Sequence, residues 1–305
     1  MTKIDTIYHT KTGPVLSFEI YPPHPTRRRA LYAALANLEP KKAGVDFISV
    51  TYGAGGQNNQ LQTHDIAETI QNDWGIPVLH HLTGINQTPN RLQQLLEKIS
   101  TTGIENILAV RGDVSELSQG THDFPFAKDL IQAISKTQQF CVGAAIYPEG
   151  HVDNPATGIN IEGVKSKMHA GTKFLISQLF FDNQAFYRMQ ETLSSQRIHL
   201  PVSAGIAPII SPQHVEKLTY LTGSSLPAQL TKLIHKYQHD PAGFRQAGMT
   251  YALKQVYDLI DHGVDGIHIY AMNQQDVLTT MIPKINQYIQ NKKTDGLSPK
   301  ENKHA

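Results

Sequence analysis

Val15-Leu16-Ser17-Phe18-Glu19-Ile20-Tyr21-Pro22-Pro23 is the stretch whose reading decides the fold. Side chains of a strand alternate between its faces, which puts Leu16, Phe18 and Ile20 on one side and Ser17, Glu19 and Tyr21 on the other. A helical pattern over 26–42 follows, and then a second apolar run over 47–52. The unit repeats along the chain. Further apolar runs at 78–83, 107–111, 142–147, 174–181, 202–208 and 266–270 alternate with helical patterns at 61–73, 89–100, 127–137, 161–169, 184–195, 212–221 and 275–289. Eight strand–helix units in 305 residues predict an α/β chain folded as a single (β/α)8 TIM barrel. Extra helices are expected between strands seven and eight, over 223–262.

The punctuation agrees with this division. Thr88-Pro89, Ser211-Pro212 and Asp240-Pro241 each read as a helix N-cap followed by proline at the first helical position. Gly44, Gly75, Gly103, Gly171 and Gly263 stand where helices should stop. No linker divides the chain. Residues 1–14 are read as an N-terminal arm, 15–291 as the barrel and 292–305 as a flexible polar tail.

Composition narrows the function classes. There are 27 Lys and Arg against 26 Asp and Glu, a net charge of +1, so no basic excess points to nucleic acid. Cys141 is the single cysteine, which rules out an intrachain disulfide and a cysteine metal cluster and suits a reducing cytoplasm. No apolar run is long enough to span a bilayer, and no membrane partner is expected.

Barrel enzymes carry their chemistry at the carboxyl ends of the strands. With its apolar partners facing the helices, Glu19 points into the barrel, where a carboxylate is costly unless paired or used. A structural ion pair and a proton donor with a raised pKa both fit it. The glycines after Thr51-Tyr52, in Gly53-Ala54-Gly55-Gly56, fit a plain turn or a loop that approaches an anion. Their spacing is not the dinucleotide fingerprint. His80 and His81 face opposite ways and are poor co-ligands for one metal. Arg111-Gly112-Asp113 ends strand four as a local salt bridge or a ligand contact. Glu149, His151 and Asp113 lack any recognised metal spacing, and no metal is expected. Six strand ends carry Glu19, Thr51, His81, Asp113, Tyr147 and Gln178, which together describe a polar pocket rather than six separate structural groups.

In series, these motifs resemble the methylenetetrahydrofolate reductases. Ser17-Phe18-Glu19 with Pro22-Pro23, the run 50–54, His81-Leu82-Thr83, Arg111-Gly112-Asp113, the runs 145–151 and 171–182, Gly205-Ile206 with Pro208, and the run 268–273 follow in register over nearly the whole barrel. The resemblance implies noncovalent FAD at the strand ends and a ping-pong reaction. NADH or NADPH reduces the flavin, and 5,10-methylenetetrahydrofolate is then reduced to 5-methyltetrahydrofolate, feeding methionine synthesis. By position, Glu19 is the implied general acid, and Asp113 binds the pterin, tunes the flavin and stabilises positive charge on the substrate. Gln178 is an implied substrate contact. Thr51, Tyr52, Ala54, His81, Arg111, Gly112, Asp113, Ala127, Tyr147, His151, Asn160 and Lys167 are implied FAD contacts. Asn160, Gly163 and Lys167 also share one helical face, where a cation can meet a pyrophosphate.

The chain departs from the family pattern at Asn160, where aspartate is usual, at Phe126, at Leu218, and at Gln274, a substrate-binding position that commonly carries arginine. Losing that cation is expected to weaken the attraction for the folate tail. The resemblance further implies a prokaryotic, cytoplasmic homo-oligomer without a regulatory domain for S-adenosylmethionine. The rival readings are a flavin barrel of the proline dehydrogenase type and a non-catalytic flavin- or folate-binding paralogue.

Overall fold

A computed structural model of the protein describes residues 2–52, 60–112, 123–152 and 158–294. Eight parallel strands close on themselves in sequence order: β1 (Val15–Ile20), β2 (Phe47–Val50), β3 (Val78–Thr83), β4 (Asn106–Val110), β5 (Cys141–Ile146), β6 (Phe174–Ser177), β7 (Val202–Ile206) and β8 (Gly266–Tyr270). The closing pair sets Ser17 against His268 and Glu19 against Tyr270. The expected (β/α)8 barrel is therefore the fold.

Helices α2 (Arg28–Leu38), α3 (Gln60–Trp74), α4 (Pro89–Thr101), α5 (Ala127–Ser135), α6 (Ile161–Ala170), α7 (Asn183–Ser195), α8 (Pro212–Thr222) and α11 (Gln275–Thr294) follow the successive strands. The extra helices before β8 are α9 (Ala228–Tyr237) and α10 (Pro241–Asp261). The three Pro-N1 starts form as read: Thr88, Ser211 and Asp240 each accept a hydrogen bond from the backbone N–H three residues on. Helix α2 stops at Leu38, short of the expected 42. Glu39 precedes Pro40, which disfavours helical backbone there, and Glu39 turns left-handed at φ 45°.

The alternation in β1 sorts two apolar layers. Leu16, Phe18 and Ile20 face outward and join the shell between sheet and helices. Val15, Phe47, Leu79, Leu108, Cys141, Phe174 and Ile176 fill the amino-terminal half of the barrel interior. Gly143 makes room for the largest of these: a Cβ there would lie 2.4 Å from the Phe174 ring. Residues 1–14, read as an arm, contain the helix α1 (Ile4–Thr10), which stops the barrel floor. Ile4 and Tyr8, one turn apart, are buried against this inner layer. The Ile4 N–H donates to Asn106 Oδ1 at 2.8 Å, and the Tyr8 hydroxyl lies 2.7 Å from Ser203 Oγ. Among the described residues, α1 thus closes the amino-terminal end of the barrel, opposite the carboxyl ends of the strands.

Candidate active site

A cavity of about 620 Å³ occupies that end, within the size range of small-molecule and cofactor sites. Glu19, Thr51, Tyr52, His81, Arg111, Gly112, Tyr147, His151 and Gln178, all named from the sequence, line it. Ala54 and Asp113 lie outside the described residues.

Glu19 sits at the end of β1 and is only 5% exposed. Burial disfavours its charged form and pushes the carboxyl up to about 8, while a hydrogen bond with the Tyr21 hydroxyl pulls the other way. His81 Nε2 stands 3.8 Å from Glu19 Oε2. Burial holds His81 down at about 3, with the neighbouring His268 adding to the effect. At neutral pH the two groups are therefore a protonated acid beside a neutral imidazole, and the contact is no ion pair. One layer below, His268 is neutral for the same reason, with Ser17 Oγ at 2.8 Å and Ser49 Oγ at 3.3 Å from its ring nitrogens.

His80 confirms the strand alternation. It points away from the cavity, toward the helices, and its ring lies 6.0 Å from that of His64 on α3. Across the cavity, Tyr147 and His151 meet edge to face at 4.6 Å. Lys167, on α6, reaches in to donate to the Ala145 carbonyl at 2.8 Å and stands 5.8 Å from the centre of the Tyr147 ring. Burial lowers this lysine to about 8. Lys167 is half-buried and does not line the cavity: its ammonium lies behind the wall, against the Ala145 carbonyl and the Tyr147 ring. Asn160 caps α6, its side chain accepting from the Gly163 N–H, and is exposed outside the cavity lining. Ala127 opens α5 and does not line the cavity.

Gln274 is also absent from the lining, and an arginine from another helix stands beside it. Arg245 of α10 donates to Gln274 Oε1 at 3.2 Å and forms a two-pronged pair with Asp276. The positive charge is present beside Gln274, but a carboxylate already offsets it.

The sequence reading missed Tyr270, Met272, Leu221 and Thr222, all of which line the cavity. For Tyr270 a signal existed, since it alternates with His268 on β8 and faces Glu19 in register. Gly205 gives its ring space, because a Cβ there would lie 2.6 Å from the ring and 2.2 Å from the Ser177 carbonyl oxygen. The Tyr270 hydroxyl donates to that carbonyl at 2.8 Å. Leu221 and Thr222 enter from the end of α8, which no strand periodicity could indicate.

Two buried polar atoms on the cavity wall, Thr51 Oγ1 and His81 Nε2, have no hydrogen-bond partner among the described residues. Such atoms are costly to bury and mark where a polar ligand edge belongs. A cavity of this kind at the carboxyl ends of the strands, with a protonated acid at its base, is where a barrel enzyme keeps its chemistry. Residues 3–286 match the family model for methylenetetrahydrofolate reductase, and the chain belongs to that family of oxidoreductases. It is 29% identical to 5,10-methylenetetrahydrofolate reductase of Escherichia coli (strain K12) over 266 residues, 86% of this chain and 87% of that protein. Methylenetetrahydrofolate reductase 1 of Schizosaccharomyces pombe is 28% identical over 275 residues, and there the match spans 88% of this chain but only 45% of the relative. Among solved structures, an uncharacterised Clostridium thermocellum protein that binds two copies of 5-methyl-5,6,7,8-tetrahydrofolic acid superposes with a TM-score of 0.68. It covers 93% of this chain and 99% of its own at 13% identity, a likeness of fold alone.

Proposed function

We propose that the protein reduces 5,10-methylenetetrahydrofolate to 5-methyltetrahydrofolate, using noncovalently bound FAD and electrons from NADH or NADPH in a ping-pong cycle, and so supplies methyl groups for methionine synthesis. The observation that carries this reading is Glu19, a buried carboxyl that keeps its proton at neutral pH at the base of the cavity. Reduction of the methylene bridge to a methyl group consumes one hydride and one proton. Glu19 holds that proton against the substrate and donates it to the folate nitrogen released as the five-membered ring opens.

The polar wall fits a flavin. The orphaned Thr51 Oγ1 and His81 Nε2 suit the heteroatom edge of a ring system. Lys167, behind the wall on α6 and against the Tyr147 ring, suits a phosphate. A bound flavin supplies two-electron hydride chemistry. Tyr52, Arg111, Gly112, Tyr147 and His151 complete the holding wall, and Gln178 orients the substrate. The family resemblance adds Ala54, Asn160 and Ala127 to the cofactor set and gives Asp113 the stabilisation of positive charge on the opened folate.

An anaerobic titration tests the reading. NADH and NADPH, in parallel samples, should each be tried for bleaching of the bound flavin, and methylenetetrahydrofolate should then restore its oxidised spectrum. Bleaching by proline without any response to folate would instead show an amino-acid dehydrogenase. A protein that takes up no flavin overturns the proposal.

A further inference from the structure

Asn273, in the turn after β8, grips the end of β1 with both atoms of its amide. Its Oδ1 accepts from the Tyr21 N–H at 2.9 Å, and its Nδ2 donates to the Tyr21 carbonyl at 2.7 Å. The grip requires unusual backbone: Met272 and Asn273 are both left-handed, at φ 50° and 56°. Asparagine tolerates that region better than most residues, but two such residues in succession are strained. The strained turn has one evident product, the fixed position of Tyr21. Tyr21 stands two residues beyond Glu19, both line the cavity, and the Tyr21 hydroxyl is close enough to draw the Glu19 carboxyl back down.

We infer that Tyr21, clamped by Asn273, is a positioning residue that stabilises the Glu19 carboxylate left after proton transfer and so sets how readily Glu19 gives its proton up. This inference rests on the proton-donor role proposed above for Glu19. A buried acid without such a partner holds its proton too tightly to donate, because the carboxylate it leaves behind has no solvation. A phenol beside that carboxylate stands in for the missing water. Among the described residues, the other neutral groups around Glu19 are out of reach or committed elsewhere. His81 on β3 stands 3.8 Å away, beyond hydrogen-bond distance, and Tyr270 on β8 commits its hydroxyl to the Ser177 carbonyl. His268 on β8 lies a layer below, held by Ser17 and Ser49. Arg91, Arg111 and Tyr147 line the same cavity, yet burial and the Tyr21 hydroxyl are what shift Glu19. A phenylalanine at position 21 fills the same space and lacks only the hydroxyl.

The test follows the Glu19 carboxyl itself. The FAD-loaded protein is labelled with 13C at the glutamate carboxyl, and the Glu19 resonance is assigned by its loss in Glu19→Gln. Its titration midpoint is then measured in wild type, Tyr21→Phe and Asn273→Gly. Glycine keeps the left-handed turn while removing the clamp. The midpoint is expected to rise by roughly half to one pH unit in Tyr21→Phe, and by less in the same direction in Asn273→Gly. The alkaline limb of flavin reoxidation by methylenetetrahydrofolate should move upward with it. A midpoint that stays or falls in Tyr21→Phe overturns the inference, as does a slower reoxidation whose pH profile has not moved. If folate fails to reoxidise even the wild type, the proposed function falls, and the carboxyl titration still decides the role of Tyr21.

Discussion

Glu19 Oε2 and His81 Nε2 stand 3.8 Å apart, and the same burial that keeps the carboxyl protonated keeps the imidazole neutral. An ionised pair in that place would hold Glu19 as a carboxylate and leave it nothing to donate. The neutral pair keeps the proton on Glu19 up to about pH 8. Glu19→Gln removes the proton while preserving shape. We expect it to leave flavin reduction by the nicotinamide donor nearly intact and to slow flavin reoxidation by methylenetetrahydrofolate by roughly 10²–10⁴-fold. In the wild type, reoxidation should hold a plateau below pH 8 and fall about tenfold per pH unit above it. Stopped-flow measurement of the two half-reactions separates these outcomes, and equal losses in both would sink the proton-donor role.

Much of this arrangement was legible in the sequence because strand alternation is strict. Once Leu16, Phe18 and Ile20 are assigned to the helix shell, Glu19 can only face inward. The barrel itself was legible from eight repeats of one unit. What stayed hidden depends on contacts between distant segments. No local pattern indicates that Arg245, 29 residues before Gln274, brings a cation to that position. The Asn273 clamp on Tyr21 spans 252 residues and likewise leaves no mark on either segment alone. The floor-sealing role of α1 was not read from the sequence either, although Ile4, Ile7 and Tyr8 share one helical face, because a helix of seven residues in a polar stretch gives only one turn of that pattern.

The interior histidines predict how stability responds to acid. Burial lowers His80, His81 and His268 to about 3, from an ordinary value of 6.5. Below pH 6.5 the unfolded chain takes up protons that the folded protein refuses. Stability is therefore fully present above 6.5 and is lost progressively as pH falls toward 3, on the order of several kcal/mol per histidine. Glu19 works in the opposite sense, because its raised carboxyl favours the folded state below 4.5 and loses that contribution as pH rises through 8. Three histidines against one carboxyl make the acid loss dominant. His80, whose ring nitrogens have no hydrogen-bond partner among the described residues, is the cleanest probe. His80→Leu should reduce the drop in urea midpoint between pH 7 and pH 4.5, and an unchanged drop would show that His80 does not contribute.

Gly205 is expected to tolerate no side chain. A Cβ there meets the Ser177 carbonyl oxygen at 2.2 Å, and that oxygen belongs to β6 and accepts the Tyr270 hydroxyl. Backbone cannot move aside as a flexible side chain can. Gly205→Ala should cost roughly 1–3 kcal/mol, typical of overpacking, and should displace Tyr270 from the cavity wall. Denaturant unfolding measures the first effect. Substrate affinity, measured as the folate concentration that half-saturates reoxidation, measures the second. Wild-type stability in Gly205→Ala would mean that β6 and β7 can separate at this point.

Lys167 should make cofactor retention depend on pH. Its ammonium is lowered to about 8 by burial, so it is mostly charged at pH 7 and mostly neutral at pH 9. If it holds a phosphate of FAD, the anion stabilises the charged form, and affinity should fall as pH rises through and beyond 8. Arginine stays protonated throughout this range. Lys167→Arg should therefore flatten the pH dependence even if its longer side chain weakens binding overall, whereas Lys167→Met should lower affinity by roughly tenfold or more at pH 7 and show no further loss at pH 9. Fluorescence titration of the apoprotein with FAD at pH 7, 8 and 9 reads all three proteins. A wild-type affinity that is level across this range, together with an unaffected Lys167→Met, would confine Lys167 to its hydrogen bond with Ala145 and remove it from the cofactor site.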